Sequence, residues 1–310
     1  MIKSEYKMPQ KMDADIKTPS PLQIGGKRDL AAYESWRENV LVGASSQIPV
    51  NWVEISDHLN LTTDERGAIR SSCSARNFAL YRTRSDVTPA GLAAMARQLG
   101  LVQFDRPPLA GTDGISRIAA SETDHEANFI PFSNKALTWH TDGYYATGPE
   151  SVQSFVLHCV CRATTGGENA LLDPRIAYIR LRQDDPEHIE ALMRQDALTI
   201  PAHIANGREI RPAVTGPVFS VRANGHLHMR YTARKRHVVW AEDRLIDRAR
   251  DALAEILRDD PGITRHVFAA GEGIICNNIL HDRTAFEDQD ASGSNRILYR
   301  ARFRDRVLDT

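Results

Sequence analysis

From residue 130 onward the chain is built of short apolar runs cut by Gly, Pro and Asn. The runs are Gln153–Val160, Ala170–Leu172, Val218–Val221, Leu227–Tyr231, His266–Ala269, Gly273–Ile279 and Arg296–Arg304. Each is too short for a stable helix, and turn-forming residues bound it, which is the signature of strands. Two helical patterns interrupt them. Pro174–Arg182 is one, with Glu187–Arg194 as its continuation. Glu242–Arg258 is the other, with Leu245, Ile246, Ala249, Leu253, Ile256 and Leu257 on one stripe. Many strands with few covering helices predict a barrel or jelly roll, mainly β with flanking helices (α+β). There is no G-x-G-x-x-G and no Walker loop, so a nucleotide-binding α/β fold is not expected.

Upstream, residues 1–27 have no sustained periodicity and read as an N-terminal arm. Residues 28–42 suit a short helix and Trp52–Ile55 a strand. Thr62 and Thr63 ahead of Asp64 and Glu65 open a helix to about Arg76. Phe78–Tyr81 reads as a strand, and Thr88-Pro89 opens a helix closed by Gly100. No linker divides the chain, so residues 28–310 form a single expected domain with its β body over 130–306.

Among the 310 residues, 39 are Lys or Arg and 40 are Asp or Glu. That balance lacks the basic surplus of a sequence-independent nucleic-acid binder. No run of about 18 apolar residues marks a membrane span. The start is polar and lacks a signal peptide's apolar stretch. Four cysteines without a C-x-x-C pair make no disulfide framework. The expectation is a reduced, cytoplasmic protein with a small-molecule substrate.

Three stretches carry chemistry. In His140-Thr141-Asp142, an extended backbone points an imidazole and a carboxylate the same way. That suits a divalent metal, or a His bonded to its neighbouring Asp. Asn277-Asn278-Ile279-Leu280-His281-Asp282-Arg283 ends a strand pattern with a His. A distant third ligand would make two His and one carboxylate, a set that leaves octahedral iron three open positions. Zinc favours a closed set of four. In Arg296–Phe303, Arg296, Leu298, Arg300 and Arg302 share one strand face, with Ile297, Tyr299, Ala301 and Phe303 opposite. Arginine beside leucine on an inward face can hold a carboxylate. Arg296 and Arg300 lie about 13 Å apart along a strand, so they serve different ends of a ligand. Arg302 and Arg304 read as a solvated edge. His226-Leu227-His228 is a second same-face pair, but with no evident third ligand. His158, inside an apolar run, reads as a core histidine.

Taken in order, Trp139-His140-Thr141-Asp142, Gly166-Gly167-Glu168-Asn169, Asn278-Ile279-Leu280-His281, Arg296 and Arg300 resemble the TauD/TfdA (taurine dioxygenase-like) family of Fe(II)- and 2-oxoglutarate-dependent oxygenases. Leu157-His158-Cys159 adds a likeness to its butyrobetaine hydroxylase branch. The resemblance covers roughly residues 130–306. It implies a double-stranded β-helix, the clavaminate synthase-like jelly roll. It implies Fe(II) on His140, Asp142 and His281, with 2-oxoglutarate and O2 as co-substrates. It places Arg296 on the distal carboxylate of 2-oxoglutarate and Arg300 near its 1-carboxylate or the substrate anion. Asn169 stands where the family commonly has Thr or Ser on the distal carboxylate. The interval from His281 to Arg296 is longer than usual by a few residues of Gly/Ser loop. Tyr144, Tyr145, Arg230, Tyr231 and Arg300 are the expected substrate contacts. The implied reaction hydroxylates an unactivated C–H of an amino acid, betaine, carboxylate or sulfonate and releases succinate and CO2. Desaturation, cyclisation or demethylation on the same scaffold is an alternative outcome. A metal-dependent hydrolase using the same three ligands is a rival of another class. The family likeness also allows a homo-oligomer.

Overall fold

A computed structural model describes residues 22, 27–44, 50–107, 110–120, 130–205, 207–234, 236, 238–288 and 295–310. The arm expected over residues 1–27 lies outside this set apart from Leu22 and Lys27. Leu22 is buried, and its carbonyl accepts a hydrogen bond from the Tyr178 hydroxyl at 2.8 Å.

The body is two facing sheets. The larger has the strand order Trp52–Ile55, Phe78–Thr83, Glu272–Cys276, Ser154–Cys161, Ile297–Phe303, Phe104–Asp105, and Ile115–Ile118 also pairs with Ile297–Phe303. The smaller runs Thr264–His266, Asn169–Leu172, Leu280–Arg283, Leu137–His140. Phe78, Leu80, Phe155, Cys159, Ile274, Cys276 and Leu298 of the larger sheet pack with Leu171 and Ile279 between them. The fold is a jelly roll, as expected.

Alternation along each strand decides what faces where. Ala79, Tyr81, Val156, Ile275, Ala301 and Phe303 point to the outer side of the larger sheet. There they meet Ile69 and Cys73 of the Thr63–Arg76 helix and Leu92 and Met95 of the Pro89–Arg97 helix. Thr62 caps the first of these helices in a reciprocal capping box with Glu65, so the predicted start is the observed one.

On the other flank, helices Pro174–Asp184, Pro186–Leu192 and Arg244–Asp259 share a core with Leu198, Phe219, Met229 and Tyr231. The first two are separate helices because Asp185 leaves helical geometry ahead of Pro186 and caps the second. Several predicted strands are shorter than read, Leu227–Tyr231 among them, which pairs only over Leu227–Met229. The pairing of Glu272–Cys276 ends before Asn278, which sits at a positive φ of 49°. In His266–Ala269 only His266 is paired, at the end of Thr264–His266. Among the described residues no helix is long and apolar enough to cross a membrane.

Candidate metal centre

Ile297–Phe303 is an interior strand, bonded to Ser154–Cys161 on one side and to Phe104–Asp105 and Ile115–Ile118 on the other. Its face split is the one read from sequence. Leu298 enters the inter-sheet core, while Tyr299, Ala301 and Phe303 face outward. Arg302 is therefore not the solvated edge residue expected. It is only 4% exposed, because partners on both sides leave its strand no edge. Arg304, by contrast, is partly exposed and pairs with Glu150.

The smaller sheet brings the distant ligands together. His140 and His281 are register partners across adjacent antiparallel strands, with ring centroids 4.1 Å apart. Ligand atoms of His140, Asp142 and His281 all lie within 4.8 Å of one another, and this is the only such cluster among the described residues. His226 and His228 belong to no such cluster.

Each imidazole is fixed in the same way. His140 Nδ1 bonds to the Thr138 carbonyl at 2.9 Å, and His281 Nδ1 to the Ile279 carbonyl at 3.0 Å. A Nδ1–H donated to a carbonyl leaves Nε2 as the lone-pair nitrogen. Burial, followed by the neighbouring His281, drives the His140 pKa down to about 3. Burial likewise lowers that of His281. Both rings are thus neutral near pH 7, the form that binds a metal.

Asp142 is buried, which by itself raises a carboxyl pKa, but Arg300 and then Arg302 outweigh that and hold it well below the usual carboxylate range. Its two oxygens have different surroundings. Oδ1 accepts from Arg300 at 3.2 Å and lies 3.8 Å from Arg302. Oδ2 is buried without a hydrogen-bond partner. An ionised oxygen left bare beside two neutral imidazoles is what a divalent cation satisfies, so the donor set fits Fe(II).

The backbone around Asp142 is fixed on every side. Asn278 bonds its main chain in both directions. Thr141 exchanges hydrogen bonds with Tyr231 through its N–H (3.0 Å) and Oγ1 (3.1 Å). Gly143 follows at φ +68°, where an added Cβ would lie 2.5 Å from Val152, so only glycine makes this turn without strain. Nothing local to Asn278 in the sequence assigns it a role. Its left-handed backbone and two-sided amide became visible only in the fold.

Arg296 is 5% exposed, and its guanidinium lies 4.9 Å from the Phe286 ring centroid. Among the described residues it has no carboxylate within ion-pair distance. Burial lowers its pKa accordingly. Arg283, two residues beyond His281, lies 4.8 Å from the same ring and donates to the carbonyls of Ser133 and Lys135. Gly167 is adjacent, since a Cβ there would sit 3.5 Å from Arg296 Nε. Asn169 is buried and donates one amide proton to the Gly167 carbonyl at 3.1 Å, leaving its second N–H. A buried guanidinium without an anion beside a free amide donor fits a carboxylate ligand.

The expected substrate residues divide into two groups. Tyr144 and Tyr145 stack edge to face at 5.7 Å, and the Tyr145 hydroxyl accepts from Arg302 at 2.7 Å. Arg230 has no donor left for a substrate. Its five N–H groups go to the carbonyls of Pro217, Tyr144, Val214, Leu198 and Gly216. Tyr231 is buried in the helix-side core, 6.4 Å from the Trp240 ring. His158 is the core histidine expected, with Nδ1 3.2 Å from the Tyr81 hydroxyl.

Comparison with known proteins adds to this geometry. The "Taurine catabolism dioxygenase TauD, TfdA family" profile matches residues 42–302. A uridine-5'-phosphate dioxygenase of Amycolatopsis sp is 32% identical over 185 residues, which cover 56% of this chain and 63% of that protein. The chain thus spans about three-fifths of the length of the curated relatives it matches. A taurine dioxygenase from Burkholderia xenovorans superposes with a TM-score of 0.55 at 18% identity, covering 80% of this chain and 85% of the other. The non-heme iron oxygenase OrfP, solved with Fe, succinate and (3R,4R)-dihydroxy-L-Arg, gives 0.58 at 18% identity, covering 78% and 81%. At such identities the structural likeness speaks for the fold.

Proposed function

The chain belongs to the TauD/TfdA dioxygenase family, and on that footing we propose that it is an Fe(II)- and 2-oxoglutarate-dependent dioxygenase. The reaction is hydroxylation of a C–H bond in a small polar metabolite, with release of succinate and CO2. The observation that carries this reading is the convergence of His140, Asp142 and His281 to within 4.8 Å.

His140 and His281 would hold Fe(II) through Nε2 and Asp142 through Oδ2. When bound, the ion supplies open positions for a chelating co-substrate and dioxygen. Arg296, with the free N–H of Asn169, takes the distal carboxylate of 2-oxoglutarate. Arg300 keeps Asp142 Oδ1 occupied, so the carboxylate meets the ion through one oxygen. It also presents positive charge toward the 1-carboxylate or the substrate. Tyr144 and Tyr145 follow Asp142 after a single glycine, and Tyr145, bonded to Arg302, would stand beside the bound substrate.

The substrate is drawn from amino acids, betaines, carboxylates and sulfonates. The curated relatives, named for uridine-5'-phosphate, add phosphate esters to that set. A hydrolase could use the same three ligands, and the co-substrate separates the two readings. The test is a strictly anaerobic titration of metal-free protein with Fe(II), then 2-oxoglutarate, followed in the visible spectrum. A weak charge-transfer band that needs both additions and is absent in His140→Ala is the expected result. Absence of the band, with zinc or manganese bound tightly instead, overturns the oxygenase reading in favour of the hydrolase.

A further inference from the structure

We propose that the primary substrate carries a phosphate-type dianion and that Arg211 is the residue that recognises it. The inference rests on the oxygenase reading and narrows its substrate class.

Next to the triad, charge is already balanced. Arg300 and Arg302 face Asp142, and Arg302 also pairs with Asp105, so two guanidiniums meet two carboxylates. One layer outward the balance ends. The Tyr145 ring lies near two guanidiniums, with Arg302 5.8 Å and Arg211 5.6 Å from its centroid. Arg302 connects inward to the ligand Asp142. Arg211 connects outward to the short hairpin formed by His203–Ala205 and Arg208–Arg211. It braces the root of that hairpin, donating to the carbonyls of Pro201 at 2.7 Å and Pro212 at 2.8 Å. Those bonds use two of its five N–H groups and fix the guanidinium beside Tyr145 with three donors in hand.

Among the described residues no carboxylate lies within ion-pair distance of Arg211. The same holds for Arg222 and Arg230. Both border the segment that follows the metal ligands, Arg222 through the Gly148 carbonyl (3.2 Å) and Arg230 through that of Tyr144 (3.3 Å). Glu150, the nearest acid in sequence, is taken by Arg304. Three guanidiniums without an ion-pair partner among the described residues thus border residues 144–148, at Tyr144, Tyr145 and Gly148. Desolvating such charges without a counter-ion is costly, and a dianion entering beside Tyr145 offsets that cost. Arg230 contributes only its field, since its donors are spent. Arg222 has a buried Nε without a partner. Arg211 alone combines spare donors, half-burial and a place against the active-site tyrosine pair. The quaternary ammonium of a betaine is repelled here, and its single carboxylate charge balances less of this field than a dianion does.

The test uses protein loaded with Co(II) and 2-oxoglutarate, a pairing inert to oxygen, titrated calorimetrically with uridine 5'-phosphate, ribose 5-phosphate, uridine and methanesulfonate. Expected is saturable binding of at least one phosphate ester, at least about 10-fold tighter than uridine or methanesulfonate. Arg211→Gln weakens it by about 10-fold or more, and Arg211→Lys retains part. Affinities for Co(II) and 2-oxoglutarate stay unchanged in both variants, which shows that the site is still folded. No saturable binding of either phosphate ester, equal binding of uridine or methanesulfonate, or wild-type affinity in Arg211→Gln overturns the proposal. Failure to form the Co(II)–2-oxoglutarate complex in wild-type protein would instead overturn the oxygenase reading on which it stands.

Discussion

Asn278 and Asp142 exchange two hydrogen bonds across the mouth of the jelly roll. The Asp142 N–H donates to Asn278 Oδ1 at 2.8 Å, and the Asn278 amide donates back to the Asp142 carbonyl at 2.9 Å and to that of Val152 at 2.8 Å. One side chain thereby holds the strand end carrying one ligand against the turn leading to another. Asn278→Ala is expected to lower Co(II) or Fe(II) affinity by about 10- to 100-fold, the usual cost of removing a group that orients a ligand. It also leaves buried main-chain groups unpaired, at about 1–3 kcal/mol each. Metal titration together with urea unfolding reads both effects.

Arg296 and Arg230 are both buried arginines, but their removal has opposite consequences. Arg296 has no anion among the described residues, so Arg296→Met is expected to leave the melting temperature of ligand-free protein unchanged or raised. The same change raises the 2-oxoglutarate dissociation constant by about 10- to 100-fold, through loss of a charge-assisted pair. Thermal unfolding and an anaerobic 2-oxoglutarate titration separate the two effects.

Arg230 ties together five carbonyls from three segments, at Tyr144, Leu198 and residues 214–217. Arg230→Met is expected to destabilise the fold by about 3–5 kcal/mol, measured by urea unfolding. What remains folded should bind metal and 2-oxoglutarate normally, because no donor of Arg230 points to either.

The pH dependence of ligand-free protein has a defined sign. Burial drives His158 down to about 4, against about 6.5 in the unfolded chain. The folded state therefore binds fewer protons, and stability that is complete above pH 6.5 is lost as pH falls toward 4. His158 alone accounts for about 2 kcal/mol between pH 7.5 and pH 5. His158→Gln should flatten the difference between urea curves at those two pH values. His158 lies on the outer side of the large sheet, so metal loading does not mask the effect.

Asp142 offers a different contrast. Asp142→Asn removes the charge that Arg300 and Arg302 share and leaves two buried guanidiniums facing a neutral amide. It should abolish metal binding and also lower the melting temperature of the metal-free protein. His140→Ala should abolish metal binding with a smaller thermal cost, because its imidazole is neutral. Calorimetry with and without Co(II) measures both.

Period-two alternation is a local property, and it made the Ile297–Phe303 face, the Ser154–Cys161 strand and the H-x-D ligand pair readable in the sequence. Capping chemistry did the same for Thr62 and the helix it starts. What alternation cannot state is which strands lie beside which. Arg302 is buried rather than solvated for that reason, since an arginine on a strand is solvated at an edge and buried inside a sheet. Arg230 looked like a substrate contact because its five carbonyl partners come from segments that are not neighbours in sequence. Asn278 had no legible role because the amide it completes lies 136 residues away. The residues by themselves determined which groups could bind a metal, and on which face of each strand they lie. Only the packing of two sheets decided that His140 and His281 meet, which oxygen of Asp142 is left bare, and which arginines have no counter-ion among the described residues. Those are matters of distance and desolvation, and a chain acquires them only once it is closed on itself.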